Sequence, residues 1–179
     1  MDNFNNYILE DIIPEKMIML IVGESVGPDS AQNGHYYFNK KNQFWKLLSF
    51  VIGKEIDPKD DRSAAKYKIG LTDIIKDKIL LQGVDISRLD QYFNLFVKKV
   101  ETYNPKIIVF NGLFTGGKTK EEKKIRKILK KKIEEFKNKY KNQYIIFQCH
   151  SSSGNANAYS EKRELQWIEI SKIYKSVLG

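Results

Sequence analysis

Met17-Ile18-Met19-Leu20-Ile21-Val22 runs without a break into Gly23-Glu24-Ser25-Val26-Gly27. A short apolar run of this kind, closed by a glycine-flanked polar stretch, reads as a buried strand that ends in a turn. Three further runs have the same character: Ile69 to Asp73, Lys106 to Phe110 and Tyr144 to Cys149. Between and after them, Phe44 to Ile52, Leu89 to Tyr103, Glu121 to Tyr140 and Glu161 to Val177 repeat apolar residues every three to four positions, the period of an amphipathic helix. Strands alternating with helices predict an α/β fold of three layers, α/β/α, with a central four-stranded parallel sheet. In such sheets ligands sit where the strands end at their carboxyl edges. That makes Gly23 to Gly27, Thr72 to Lys76, Asn111 to Lys118 and His150 to Asn157 the candidate site segments, and the polar stretch Ile56 to Lys66 a surface loop.

With 179 residues the chain is long enough to form one domain, 1–179, with a core that needs neither disulfides nor structural metals. Its one cysteine, Cys149, cannot form an internal disulfide, and no Cys/His cluster has zinc-ligand spacing. A reducing compartment, the cytoplasm, is therefore expected, with no metal and no cofactor. Met1 to Tyr7 is polar and no apolar run approaches the length of a bilayer span, so neither export nor a membrane partner is expected. A monomer is expected.

Net charge is +9, and Lys118 to Lys141 alone holds twelve Lys or Arg against four Glu, a local excess of +8. Such a stripe attracts polyanions, and lysine contacts to phosphates give sequence-independent, salt-sensitive affinity. Ile125, Ile128, Leu129, Ile133, Phe136 and Tyr140 recur within it at helical spacing, so the same lysines also read as the solvated face of an amphipathic helix. Both readings stand at this point.

Gly112, Gly117, Lys118 and Thr119 spell the G-x-x-x-x-G-K-[ST] string of a phosphate-binding loop between a strand and a helix. A nucleotide hydrolase also needs an acid ending a neighbouring apolar strand to hold magnesium. The strand in question ends in Gln148, Cys149 and His150, while Asp73 follows Thr72 on a weaker one. A nucleotide hydrolase is thus the less favoured reading.

A different set of motifs uses far more of the chain. Gly23-Glu24-Ser25-Val26-Gly27 is followed by Gly34-His35-Tyr36-Tyr37-Phe38 and by Asn42-Gln43-Phe44-Trp45-Lys46-Leu47-Leu48. Then come Ile69-Gly70-Leu71-Thr72-Asp73, Pro105 to Gly112 with Phe110-Asn111-Gly112, and His150-Ser151-Ser152-Ser153-Gly154-Asn155-Ala156. In this order and spacing they resemble the uracil-DNA glycosylase superfamily: a G-x-N-P-G loop, a G-x-x-[FY] base-stacking segment, an N-x-F-W-x-x-L helix start, a G-I-G-[FL]-T-[DN] strand, a P-x-I-x-V-F-N-G strand and a P-S-S-S-A-R loop. The resemblance spans about Ile18 to Lys172 and is greatest to the mismatch-specific uracil/thymine branch and to the hypoxanthine branch, which shares a Y-Y-x-x-P-x-N-x-F-W stretch.

The resemblance implies strand order two-one-three-four and a monofunctional glycosylase that extrudes a nucleotide from double-stranded DNA. It would cut out a deaminated or mismatched base, uracil, thymine opposite guanine or hypoxanthine, by water attack at the sugar. Base extrusion needs an aromatic face and an edge-reading group. By position these are Tyr37 and Asn111, with Gly23 and His150 also lining the base, and Ser151, Ser152, Ser153, Gly154 and Asn155 pressing into the duplex. Bland readings sit beside each: an aromatic packing residue, an Asn turning the chain before Gly112, a structural histidine, a plain loop. The first motif departs from the family, with Ser25 for the water-orienting Asn and Val26 for Pro. Glu24, Ser25 and Asn42 are therefore the catalytic candidates. Glu24 is the strongest, because a carboxylate can both stabilise a cationic sugar and accept a proton. A family member that binds altered DNA without cutting it is the alternative.

Overall fold

The computed structural model describes residues 7–179, with the side chains of 155–157 outside the description. Successive side chains of a strand point to opposite faces of its sheet, and here both faces are apolar. Strand β1 (Met19–Val26) lies between β2 (Ile69–Ile79) and β3 (Ile107–Asn111), and β4 (Ile145–Cys149) pairs with β3. All pairings are parallel and the order is β2-β1-β3-β4, as the sequence implied.

One face of the sheet carries Met19, Ile21, Ile69, Leu71, Ile107 and Val109, packed with Phe44, Leu48 and Val51 of α2 (Phe44–Ile52) and Trp167, Ile170 and Tyr174 of α5 (Ser160–Leu178). The other face carries Leu20, Val22, Ile108 and Phe110 against α3 (Leu89–Tyr103) and α4 (Lys120–Tyr140). A short α1 (Pro28–Asn33) follows β1. Because α4 joins the carboxyl end of β3 to the amino end of β4, it runs away from the carboxyl edge over 21 residues, about 31 Å at 1.5 Å per residue.

Three expectations need correction. β1 and β2 continue in register through Ser25↔Ile75 before a bulge at Ser25/Val26. Gly23 to Val26 and Thr72 to Lys76 are thus parts of strands rather than loops, because the two chains keep pairing after their apolar runs end. Ile56 to Lys66 is not a plain surface loop either: Asp57 caps the 3-10 turns of Pro58–Tyr67, which bury Asp61 and Ala64. Asp61 is buried because it accepts the Tyr36 N–H at 2.7 Å and faces His35 Nδ1 at 3.2 Å.

Trp167 is fully buried and its indole N–H has no hydrogen-bond partner among the described residues. Trp167→Ala should therefore cost about 3–5 kcal/mol in urea unfolding. Trp167→Phe should cost well under half of that, because losing an unsatisfied N–H offsets part of the lost packing.

Candidate functional site

Counting along the sheet in steps of two, the α2/α5 face presents the rows Ile69–Met19–Ile107–Ile145 and Leu71–Ile21–Val109–Phe147, and then a row of different chemistry. Asp73 pairs with Gly23, Asn111 with Cys149, and Gly23 and Asn111 lie one step beyond the Val22↔Phe110 pair. Asp73, Gly23, Asn111 and Cys149 thus form one row across all four strands at the carboxyl edge. Asp73 and Asn111 are only 5% and 6% exposed. Gly23 is required by space: a Cβ there would lie 2.1 Å from Asp73 Oδ1 and 3.2 Å from the Tyr37 hydroxyl.

Tyr37 is placed over this row by its neighbours. Tyr36 is buried, donates its N–H to Asp61, accepts the Trp45 indole N–H on its carbonyl at 3.0 Å and receives Lys76 Nζ on its hydroxyl at 2.7 Å. Phe38 N–H donates to Ser30 Oγ at 3.0 Å. Held on both sides, Tyr37 takes a left-handed φ of 53°, a conformation that costs a side-chain-bearing residue free energy and persists only where its surroundings fix it. Its ring stacks on Phe44 with centroids 3.8 Å apart. Its hydroxyl is buried beside the Asn111 side chain. Burial and then Asp73 push the phenol's pKa up, with the Asn111 amide acting the other way.

Asp73 is the acid of the row, which reading the sequence for the first motif had overlooked as a site residue. No hydrogen bond holds its carboxyl among the described residues. Burial pushes its pKa up to about 6 against the opposing pull of Lys76; Asp11 raises it, Lys99 lowers it and Glu24 raises it. Both lysines are shared with Asp11, Lys76 Nζ at 2.8 Å and Lys99 Nζ at 2.5 Å, where Thr72 Oγ1 also donates at 2.7 Å.

Glu24 stands elsewhere. One residue after Gly23, it faces the α3/α4 side, where Arg126 of α4 grips it through Nε and Nη2, each at 2.8 Å. The structure does not bring it together with Tyr37 and Asn111. Ser25, which pairs with Ile75 just before the bulge, is partly buried. Asn42 opens α2, its side-chain oxygen accepting the Phe44 N–H at 3.0 Å.

Asn111 is tied to the last motif: its Nδ2 donates to Ser152 Oγ at 2.8 Å and its Oδ1 accepts the Ser152 N–H at 3.2 Å. Ser152 O in turn accepts the Gln43 N–H at 2.9 Å, so β3, the serine loop and the start of α2 are bound together. Arg163 of α5 reaches Ser151 O at 3.0 Å, Ser153 N–H donates to Ser151 Oγ at 3.2 Å, and Gly154 packs against Lys41. The side chain of Asn155 lies outside the described residues. His150 stacks on Tyr159 with centroids 4.6 Å apart. Burial, then Lys162 and Arg163, lower its pKa.

The Gly112 to Thr119 string does not cradle a phosphate. Thr119 Oγ1 accepts the Glu122 N–H at 3.1 Å and the Glu122 carboxylate accepts the Lys118 N–H at 2.6 Å, so a side-chain anion already fills the helix start. Phe114 is buried under Gly112.

A sequence profile described as the Uracil DNA glycosylase superfamily matches residues 11–171. The chain belongs to the uracil DNA glycosylase superfamily. Within the superfamily it is 30% identical over 110 residues to a hypoxanthine DNA glycosylase of Methanosarcina barkeri, covering 59% of this chain and 70% of that one. It is 27% identical over 169 residues to the G/U mismatch-specific uracil DNA glycosylase of Schizosaccharomyces pombe, covering 88% of this chain and half of the yeast protein. To a hypoxanthine DNA glycosylase of Methanosarcina acetivorans it is 26% identical over 165 residues, 89% of this chain and 93% of that one. The solution structure of a candidate uracil DNA glycosylase from Methanosarcina acetivorans shares the fold, with a TM-score of 0.59 over 93% of this chain and 96% of that one at 22% identity.

Asp73 makes the site's stability titratable. Its folded pKa lies above its unfolded one, near 6 against 3.8. The stability it contributes is therefore full below about pH 4 and lost as pH rises through about 6. Asp73→Asn should remove that loss, leaving the variant more stable than the native chain by about 3 kcal/mol above pH 7 and not below pH 4, in chemical unfolding across pH.

Proposed function

We propose that the chain is a monofunctional DNA glycosylase that extrudes a deaminated or mismatched base from double-stranded DNA to the carboxyl edge at Tyr37 and the Asp73–Gly23–Asn111 row. The observation that carries this reading is that row: buried polar groups at the carboxyl edge, on the face where the stacked Tyr37 and Phe44 stand. The hypoxanthine and uracil glycosylases among its relatives support the substrate class.

The sugar stays on the DNA backbone, so on this reading the chemistry takes place outside the row, with Ser25 and Asn42 as its candidates. Asn42 is the main water-positioning group. Its oxygen keeps a second lone pair beyond the Phe44 N–H, and its amide can donate. Glu24 braces β1 against α4 through Arg126. The serine loop, fixed by Asn111 and Gln43, is the part that presses into the duplex. Release of base from duplexes carrying hypoxanthine, uracil or thymine opposite guanine, read by alkaline strand cleavage, tests the reading; no cleavage with binding intact would make the chain a non-cutting damage binder, the alternative that Ser25 favours by replacing the family's Asn. Asn42→Ala should lower single-turnover excision by about 10²-fold or more, whereas Glu24→Gln should lower it less than about tenfold.

DNA held at the carboxyl edge meets only the first turns of α4. Lys118, Lys120, Lys123 and Lys124 are exposed there. Reversing Lys120, Lys123 and Lys124 to Glu should weaken binding at least about tenfold and reduce the salt slope by about 3. Reversing Lys137, Lys139 and Lys141 at the far end should change the slope by less than about 1, in binding titrations at several salt concentrations.

A further inference from the structure

The Asp73 carboxyl lies over Gly23 without a hydrogen bond of its own among the described residues, and the Tyr37 hydroxyl faces the same point. A group buried this way costs free energy until something satisfies it. On the glycosylase reading this point is the floor of the base site: Asp73 is two residues before the Ser25↔Ile75 pair along β2 and only 5% exposed. An extruded nucleotide keeps its sugar outside with the backbone. What reaches the floor is the edge of the base farthest from the sugar.

We propose that Asp73 is the specificity-determining residue of this pocket, its neutral carboxyl giving one hydrogen bond to a ring carbonyl of the base and taking one from the adjoining ring N–H. The inference rests on the glycosylase reading above. The edge it reads, a ring C=O beside a ring N–H, is present in hypoxanthine, uracil and thymine, as in guanine, and absent from adenine and cytosine. An ionised carboxylate can only accept hydrogen bonds, so it would set an anionic oxygen against the base carbonyl and reject the same edge. The state of Asp73 then decides recognition.

The surroundings hold that state near the point of change. Lys76 on its own strand and Lys99 on α3 favour the anion but are shared with Asp11; burial, Asp11 from the segment before β1 and Glu24 on β1 favour the neutral acid. Tyr36 and Tyr37 close the site from the segment before α2, and the Tyr36 hydroxyl takes a hydrogen bond from Lys76. A base stacked above removes the last water from Asp73 and shifts the balance further to the neutral form.

The test is single-turnover excision of the best-cut base between pH 5 and 8.5, by the native chain and by Asp73→Asn. The native rate should fall about tenfold per unit above pH 6, about a hundredfold by pH 8. Asp73→Asn, whose amide always offers a donor and an acceptor, should lose that fall and exceed the native chain at pH 8, while Asp73→Ala should be slow throughout. Parallel profiles for native and Asn variant, or a flat native profile, overturn the proposal. If no duplex is cut, the glycosylase reading fails on its own, and the inference is decided by binding of a duplex carrying 2′-fluorodeoxyinosine, whose glycosidic bond resists cleavage. Preference over undamaged duplex should drop at least about tenfold from pH 5.5 to 8 in the native chain and hold in Asp73→Asn; equal drops in both, or no drop in the native chain, overturn it. Should the Asn variant not fold, infrared difference spectra of the native chain decide. A neutral-acid C=O band appearing at pH 7 when that duplex binds supports the proposal, and its absence overturns it.

Discussion

The missing Cβ of Gly23 is the constraint on which the site depends. β1 and β2 pair so that residue 23 faces residue 73, and in a parallel sheet paired side chains stand on the same face a few ångströms apart. Any side chain at 23 would evict the Asp73 carboxyl, whose oxygen occupies that space. The glycine therefore does more than permit a turn: it lets an acid lie flat across the central strand, under the Tyr37 hydroxyl and beside Asn111.

Parity along β1 settles the rest of the first motif. With Gly23 on the α2/α5 face, Glu24 must face α3 and α4. A carboxylate on the far face finds a cation of the helix that covers it, and the two-point grip of Arg126 fits a planar guanidinium to a carboxylate. The same alternation puts Asp73 behind Leu71 and Ile69 on the site face. Two acids thus lie near the carboxyl edge of adjacent strands, one ion-paired through both oxygens and one unpaired. Their different surroundings, more than their identity as acids, separate bracing from recognition.

The strands, helices and their order were legible in the sequence because apolar runs and helical repeats survive without tertiary context. So were the six motifs, whose spacing carried the family and the four-strand order. The side of the sheet was legible too, since counting in twos from Ile21 puts Glu24 opposite Gly23. Other features were not accessible. The Asn111–Ser152–Gln43 link joins residues far apart in sequence, and nothing in a serine-rich loop says which serine turns inward. The sharing of Asp11 between Lys76 and Lys99, which leaves Asp73 without a cation of its own, exists only once α3 lies against β2.

The lysine stripe shows how a true composition signal can be misplaced. Its +8 excess is spread along α4, and α4 leads away from the edge where the site lies. At physiological salt, fields of exposed charges fade within about 8 Å, so lysines two or more turns down the helix contribute little to a duplex held at that edge. Several have local partners instead: Lys132 meets Asp90, Lys137 meets Glu134 at 3.1 Å and Lys131 faces Glu135 at 3.7 Å. The solvated-face reading thus suits the far half of α4 and the polyanion reading its first turns. The division follows from helix direction, which follows in turn from the parallel pairing of the two strands, β3 and β4, that α4 joins.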